Sequence, residues 1–431
     1  MRCRAAADSK SALRSNFATL RRERDSLLVA SEMEKNVQAK LKKHWPLDPK
    51  IVFLNHGSFG SCPLPVLEFQ RALQERLERQ PIQFLVRDLE PLLDQAQAAL
   101  AQFTGARPDD LIFVPNATSG VNTVLRSLAF DAGDELLVSD HEYNACRNAL
   151  EFAAARAGAK VVVAAVPFPL ASTGQIVEAI VARVTPRTRL ALVDHVTSQT
   201  GLVLPIGQIV RELAARGVDT LVDGAHGPGM VPLNLESLGA AYYTGNCHKW
   251  LCAPKAAGFL HVRPERQQII HPLSISHGLT SPRKDRSRFL IEFGWTGTLE
   301  PSACLSVPEA LRFMEGLLPG GWPEIMARNR ALALEAREIL CETLKIPPPC
   351  PDECVGSMAA MPLPDAGETE RAAPPLYIDP LQDYLLARHA IEVPVIPWPA
   401  FPKRLLRISA QLYNDRAQYQ MLAAALRERF G

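Results

Sequence analysis

The chain has 431 residues, 47% hydrophobic and 22% charged, with a formal net charge of +1. That balance suits a soluble globular enzyme of two domains and excludes charge-driven binding to nucleic acid or an anionic membrane surface. No apolar run is long enough to span a bilayer, and the nine cysteines, without a C-x-x-C pair, read as reduced thiols of a cytoplasmic protein rather than a disulfide framework or metal site.

Residues 1–45 are polar and charged, with Leu13, Phe17, Leu20, Leu27 and Leu28 at loosely helical spacing. They predict a helical or partly disordered extension that packs on a partner subunit. Its arginines lack an apolar h-region, so no Sec signal peptide is expected, and Asp8 and later acids argue against a transit peptide. Ile51–Leu54 leads into Asn55–His56–Gly57–Ser58–Phe59–Gly60–Ser61, a plain turn by composition whose glycines permit close backbone approach to a ligand. Helical spacing runs from Pro65 to Thr104. Arg87, between its two stretches, is expected in a surface salt bridge.

Leu111–Val114 predicts a strand. Asn116 to Gly120 then opens a helix over Val121 to Leu128, N-capped by Thr118 or Ser119 and able to hold an anion on its free N–H groups. Glu135–Val138, Val161–Val166, Leu190–Val193 and Val218–Val222 predict further strands. Helices over 145–157, 173–183 and 206–216 alternate with them. Such alternation predicts right-handed crossovers and a largely parallel sheet. Polar residues gather where the strands end, at Ser139–Asn144, Asp194–Ser198 and Asp223. That edge is where open α/β sheets hold ligands.

Another short strand, Ala240–Thr244, runs into Gly245–Asn246–Cys247–His248–Lys249–Trp250. Singly, Asp223 reads as a helix cap and Lys249 as a solvated loop lysine. Together, at adjacent strand ends, they suit pyridoxal phosphate, which needs a lysine for its Schiff base and an acid for its pyridinium nitrogen. Lysine among Trp250, Leu251 and Cys252 is desolvated, which lowers its pKa as an imine-forming amine requires. Gly258–Val262 predicts a strand and 271–289 a mobile loop. Beyond 305 come helices from Pro308 and over 322–344, a proline-rich stretch with one strand at 355–361, a helix at 382–390, strands at 393–396 and 405–409, and a last helix from Asn414. Arg407 on its apolar strand needs an anionic partner, either a structural carboxylate or a ligand.

The stretches DGAHGPG and GNCHKW, with FLNHGSFGSCP before them and LLRISAQLYN after, resemble the class V aminotransferase-like branch of fold-type I pyridoxal phosphate enzymes. Within it they are most similar to isopenicillin N epimerase-like and cysteine desulfhydrase-like proteins. The resemblance covers roughly residues 51–430. It implies an α/β fold: an N-terminal extension over 1–45, a large domain over 46–305 with a mostly parallel seven-stranded sheet, and a smaller α+β domain over 306–431. It also implies pyridoxal 5'-phosphate as cofactor, an amino-acid substrate, and a homodimer that shares its active sites.

The resemblance assigns residues as well. Ala117, Thr118 and Ser119 are expected at the phosphate, with Thr298 reaching a neighbour's phosphate across the dimer. His141 is expected to stack on the pyridine ring, with Tyr143 as the fallback, and Ser198 to lie near the 3'-oxygen beside His195. Asp223 anchors the ring nitrogen, His226 bonds the 3'-oxygen or tunes the imine, Asn246 and His248 line the cofactor, and Lys249 carries it. Asn55, His56 and Arg407 are expected at the substrate, Arg407 as a bidentate clamp on its carboxylate. The expected catalytic set is Lys249, Asp223 and His141.

Epimerisation at Cα is the expected reaction, with Lys249 as base on one face and Tyr143, His56 or His195 as the second acid. C–S lysis by β-elimination and transamination are the alternatives, and a non-catalytic scaffold fits the intact residue set less well. Persulfide-forming desulfuration is disfavoured. Its nucleophilic cysteine would fall within Ile391–Trp398, which has none, and Cys350 and Cys354 lie too far upstream. Trp398, Trp295 and the 271–289 loop are expected to shape the side-chain pocket.

Overall fold

The computed structural model describes Gln38, residues 40–371 and residues 378–431. Most of the expected N-terminal extension lies outside the described residues.

Seven strands form the central sheet: β2 (Leu111–Val114), β3 (Glu135–Ser139), β4 (Lys160–Ala164), β5 (Thr188–Asp194), β6 (Asp219–Gly224), β7 (Tyr242–Asn246) and β8 (Gly258–Val262). Their order is β2-β8-β7-β6-β5-β3-β4. Only β8 runs against its neighbours. The strands are apolar on both faces because helices cover both. Side chains alternate accordingly. Leu136, Val138, Leu190, Leu192, Leu221 and Tyr242 enter one core, while Leu137, Ala191, Val193, Val222 and Tyr243 enter the other. Each fully buried Leu or Val contributes about 1.5–3 kcal/mol, so a one-residue slip in register is excluded.

The register also builds a site. Asp194 pairs with Asp223 and Asp223 with Thr244, so three polar residues end side by side at the carboxyl edge. The helix Ala117–Ser127 lies tight against this edge. A Cβ on Gly120 would sit 2.0 Å from Thr244 Oγ1.

A second, antiparallel sheet has the order β11-β12-β9, from β9 (Met358–Pro362), β11 (Val395–Pro397) and β12 (Arg404–Ser409). Two long helices, Gly321–Leu344 and Arg416–Phe430, pack against each other beside it. The short strand β1 (Val52–Phe53) pairs in parallel with β10 (Ile391–Glu392), and the Ser409 N–H donates to the Leu54 carbonyl at 2.9 Å. These bonds bring the Asn55 turn beside Arg407.

Several local expectations are corrected. The helix after β2 starts at Ala117, four residues early, because Asn116 is its N-cap; Asn116 Oδ1 accepts from the Ser119 N–H at 2.9 Å. Neither Thr118 nor Ser119 is the cap. The last helix starts at Arg416, capped by Asp415 in a box with Gln418. A π-helical segment, Gln83–Asp88, interrupts the 64–104 helices. Arg87 lies on it, exposed, and bonds Gln83 at 3.5 Å rather than a carboxylate. The 271–289 stretch is anchored, not free. It contains a short 3-10 turn at His277–Thr280, and Arg283 grips Glu90 at 2.7 and 2.9 Å while Arg286 reaches Asp94 at 2.6 Å.

Candidate active site

Asp223 is buried at the end of β6. Its Oδ1 accepts the Ala225 N–H at 2.9 Å, which fixes the carboxylate, and its Oδ2 accepts the Cys146 thiol at 3.0 Å. Glu142 and Asp194 complete the cluster, and Glu142, Cys146 and Asp223 converge closely. Burial, aided by the neighbouring carboxylates, pushes Glu142 and Asp194 well above the usual carboxylate range. Burial likewise raises the Cys146 thiol. The sequence reading missed Glu142, Cys146 and Asp194. The only signal was acidic residues at two more strand ends.

Lys249 follows β7 by three residues, and its Nζ lies 3.1 Å from His226 Nε2. Burial lowers the amine to about 8; the positive Arg407 adds to this and Asp223 opposes it. Trp250 Nε1 donates to His226 Nδ1 at 3.2 Å. Burial, then the Lys249 charge, holds His226 neutral. His248 Nδ1 donates to the Ala257 carbonyl at 3.0 Å, turning the ring's other nitrogen outward from that bond.

Arg407 projects from β12 and is buried. Nη1 donates to the Ser198 carbonyl at 2.5 Å, and Nη2 to Ser58 Oγ at 2.8 Å and Asn55 Oδ1 at 3.5 Å. Among the described residues its Nε has no partner, and the only acidic group that favours its charge is the Tyr143 hydroxyl, not a carboxylate. Burial lowers it to about 10. So the structural salt bridge anticipated as an alternative is absent from this set. Asn55 and Ser198 meet at Arg407, and Ser58, which the sequence reading passed over, joins them.

His141 is buried. Nε2 donates to the Val166 carbonyl at 2.9 Å, so Nδ1 accepts from the Thr200 hydroxyl at 2.8 Å. Its ring meets Trp398 edge-on, centroids 4.8 Å apart. Tyr143 is 44% exposed. Burial raises its hydroxyl, as do the neighbouring Cys146 and Asp223, while Arg407 opposes them.

At the start of the 117–127 helix, Asn246 Oδ1 accepts the Ala117 N–H at 2.9 Å. That corrects the expectation for Ala117, whose amide is already satisfied. The Ser119 N–H and hydroxyl both donate to Asn116 Oδ1, at 2.9 and 3.2 Å, which leaves the Thr118 N–H and hydroxyl without a bond among the described residues. Thr298 is exposed, in the turn after Trp295.

His56 is corrected as a substrate contact and as an acid. It is fully buried; Nε2 donates to the Lys249 carbonyl at 3.0 Å and Nδ1 takes the Tyr413 hydroxyl at 2.8 Å. Burial lowers it to about 3. It braces the backbone of Lys249. Gly60 belongs to the same brace, for its close approach is to protein and not to a ligand. With φ of 69°, its Cβ would lie 2.0 Å from the His248 carbonyl. His195 is corrected as an acid too. It is buried against the Tyr243 hydroxyl at 3.0 Å, and burial lowers it to about 4.

Residues 82–347 match the family model for aminotransferase class-V. The chain is 37% identical over 404 residues to isopenicillin N epimerase of Amycolatopsis lactamdurans, covering 90% of this chain and 98% of that one. It is 31% identical to a probable chloroplastic L-cysteine desulfhydrase of Arabidopsis thaliana, covering 88% and 83%. Among solved structures, the cystine C-S lyase C-DES in complex with cysteine persulfide superposes with a TM-score of 0.72 at 21% identity, covering 88% and 97%. The cysteine desulfurase CsdA of Escherichia coli does so with 0.72 at 20% identity, covering 91% and 98%. These likenesses give the chain a fold-type I architecture, and it belongs to the class V aminotransferase family.

Proposed function

We propose that the protein is a pyridoxal 5'-phosphate enzyme that epimerises an amino acid at Cα, the activity for which the isopenicillin N epimerases similar to it are named. One observation carries this reading. A buried amine lowered to about 8 at Lys249 shares a site with a buried guanidinium that has no carboxylate partner among the described residues. The first suits covalent attachment of an aldehyde, and the second suits capture of a substrate carboxylate.

The residues fit the cofactor. Asp223 offers a buried carboxylate whose Oδ2 accepts from the Cys146 thiol among the described residues, and it would take the pyridinium N–H. The Thr118 N–H and hydroxyl offer donors to a phosphate, the Ser119 hydroxyl would join them by leaving Asn116, and Asn246 and His248 would line the cofactor. Lys249 would hold the aldehyde, with His226, Ser198 and His141 beside the ring and Thr298 serving the neighbour's phosphate. Bound there, the cofactor supplies an electron sink that acidifies the substrate Cα–H.

The chain's own groups do the rest. Arg407, with Ser58 and Asn55 behind it, orients the carboxylate. Lys249 Nζ accepts the Cα proton on one face. Tyr143 gives a proton on the other; of the three acids weighed, it is the one not locked in the core. His141 and Trp398 exclude water. The protein works as a homodimer in the cytoplasm. Phe59, Ile82 and Val86 leave large apolar side chains exposed, as an interface with a second copy uses. The thiols of eight described cysteines are free, and no described helix is long and apolar enough to cross a membrane.

C–S lysis is the second reading, favoured by the similarity to cysteine desulfhydrases; it needs Lys249 and a leaving group only. Persulfide formation on a protein thiol is not proposed, because burial raises all eight described thiols. Incubation with L-amino acids in deuterated water separates the readings. Deuterium at Cα with loss of chirality supports epimerisation, while pyruvate and ammonia from cysteine or its conjugates support lysis. A colourless protein that takes up no pyridoxal phosphate rules out both.

A further inference from the structure

Trp250 is 1% exposed and packs with Val196, Met230 and Met358. The turn after His226 presses on it directly. Gly229 has φ of 84°, and a Cβ there would lie 2.7 Å from the Trp250 carbonyl. The indole is thereby held with its N–H on His226 Nδ1 at 3.2 Å, while His226 Nε2 sits 3.1 Å from Lys249 Nζ.

An indole N–H can only donate. His226 Nδ1 must therefore be the bare nitrogen. An imidazolium, or a neutral ring protonated at Nδ1, would set two N–H groups against each other in a buried space, where an unmatched donor costs about 1–3 kcal/mol. The remaining form carries its proton on Nε2. That proton points at Lys249 Nζ, which can accept it only through a free lone pair; an ammonium has none.

We propose that Trp250 is a positioning residue: its indole N–H fixes His226 in the Nε2-protonated tautomer, so that the imidazole donates to Lys249 Nζ and the amine is the acceptor. The chain Trp250 to His226 to Lys249 then runs in one direction only. Around it stand Lys249 itself, Arg407, His248 and His56, all of which disfavour a positive charge on His226. Asp223, with Cys146 and Asp194 behind it, favours charge on Lys249. Burial and Arg407 lower Lys249 to about 8, and burial with these cations keeps His226 uncharged, so the pair is neutral once the amine has lost its proton, and Trp250 supplies the direction. The inference deepens the proposed function, since it rests on Lys249 being the reactive amine, but its test does not depend on turnover.

The experiment uses the full chain after removal of bound cofactor, labelled with nitrogen-15 histidine. His226 is assigned by comparison with H226Q. The expected spectrum shows a bare Nδ1 and a protonated Nε2 for His226 above about pH 8, where Lys249 is neutral. In W250F the spectrum shows mixed tautomers, and acylation of Lys249, followed by peptide mass spectrometry, slows about tenfold at neutral pH. A wild-type His226 protonated at Nδ1, or doubly protonated at neutral pH, overturns the proposal even if W250F does not fold. So does a folded W250F with unchanged spectrum and unchanged acylation. The expected tautomer in a protein that never takes up pyridoxal phosphate leaves the positioning role standing and removes the proposed function.

Discussion

Glu142 and Asp194 meet carboxyl to carboxyl next to Asp223, and among the described residues none of Glu142 Oε1, Glu142 Oε2 and Asp194 Oδ2 has a donor. Two buried carboxylates in contact must share a proton. Burial and the charges of Asp194 and Asp223 hold that proton on Glu142 well above the usual range. The folded chain then binds more protons than the unfolded chain over that interval. Stability from this group is fully present below the unfolded value and is lost as pH rises through the folded one. E142Q keeps a donor toward Asp194 and cannot ionise. Its unfolding free energy from denaturant titration is expected to match wild type at pH 5 and to exceed it at pH 8 by about 1 kcal/mol. A variant less stable than wild type at pH 8 would mean that Glu142 is ionised and paired.

Arg407 presents the opposite trade. Its charge is buried without an anion, so the folded state holds it at a cost, and the neutral bonds to Ser198 and Ser58 only partly offset this. R407M is expected to stay within about 1 kcal/mol of wild-type stability. Its KM for an amino acid should rise about 100-fold or more, because the carboxylate loses a fork that a buried site makes worth several kcal/mol. R407K keeps the charge without the planar fork and should fall between. Paired thermal melts and kinetics check this; a large loss of stability in R407M would make Arg407 a structural residue.

The sheet was legible because its strands are short apolar runs ended by turn residues. The periods of the helices between them were equally plain. That β6 ends at Asp223 beside the strand leading to Lys249 was legible for a related reason: a strand end fixes where a side chain points, to within a residue. What stayed hidden depends on partners far apart in the chain. His56 looked like a ligand contact, and only the fold shows it wedged between Tyr413 and the Lys249 carbonyl, 357 and 193 residues away. Ser58, after β1, and Ser198, after β5, become partners of Arg407 on β12, and no local pattern links these strands. Glu142 was overlooked because one acid in a polar cluster gives no sign of burial. The Asn116 cap was missed because Thr118 and Ser119 are equally good capping residues, and backbone geometry alone decides between them.

Gly60 makes a third test. Its positive φ is strained for any residue with a Cβ, and the added atom would strike the His248 carbonyl, one peptide from Lys249. G60A is expected to lose about 1–3 kcal/mol of stability. It should also take up pyridoxal phosphate more slowly, since the lysine backbone must shift. Absorbance of the bound cofactor and chemical denaturation measure the two effects. Wild-type uptake in G60A would show that the brace is irrelevant to Lys249.

Lys249 gives a pH prediction. Burial, aided by Arg407, lowers the amine to about 8. Only the neutral amine attacks an aldehyde. Capture of pyridoxal phosphate by cofactor-free protein should therefore accelerate as pH rises and reach half its limiting rate at about pH 8. A free lysine would need a far higher pH. Stopped-flow absorbance reads this directly, and K249A should show no capture at any pH. A wild-type midpoint near that of free lysine would mean that water reaches the amine in solution.

Tyr143 tests the reaction itself. Burial raises its hydroxyl above the ordinary value, so it carries its proton at neutral pH and can act as an acid. If Lys249 works on one face of Cα and Tyr143 on the other, the two half-reactions can be separated. Y143F keeps the ring and removes the proton. From an L-amino acid in deuterated water, Lys249 alone should still exchange the Cα proton with retention of configuration. Formation of the D-enantiomer should fall by about 100-fold or more. Exchange and racemisation falling together would place Tyr143 in binding rather than proton transfer. Both continuing at the wild-type rate would hand the second face to another group, most simply one delivered by a second copy of the chain.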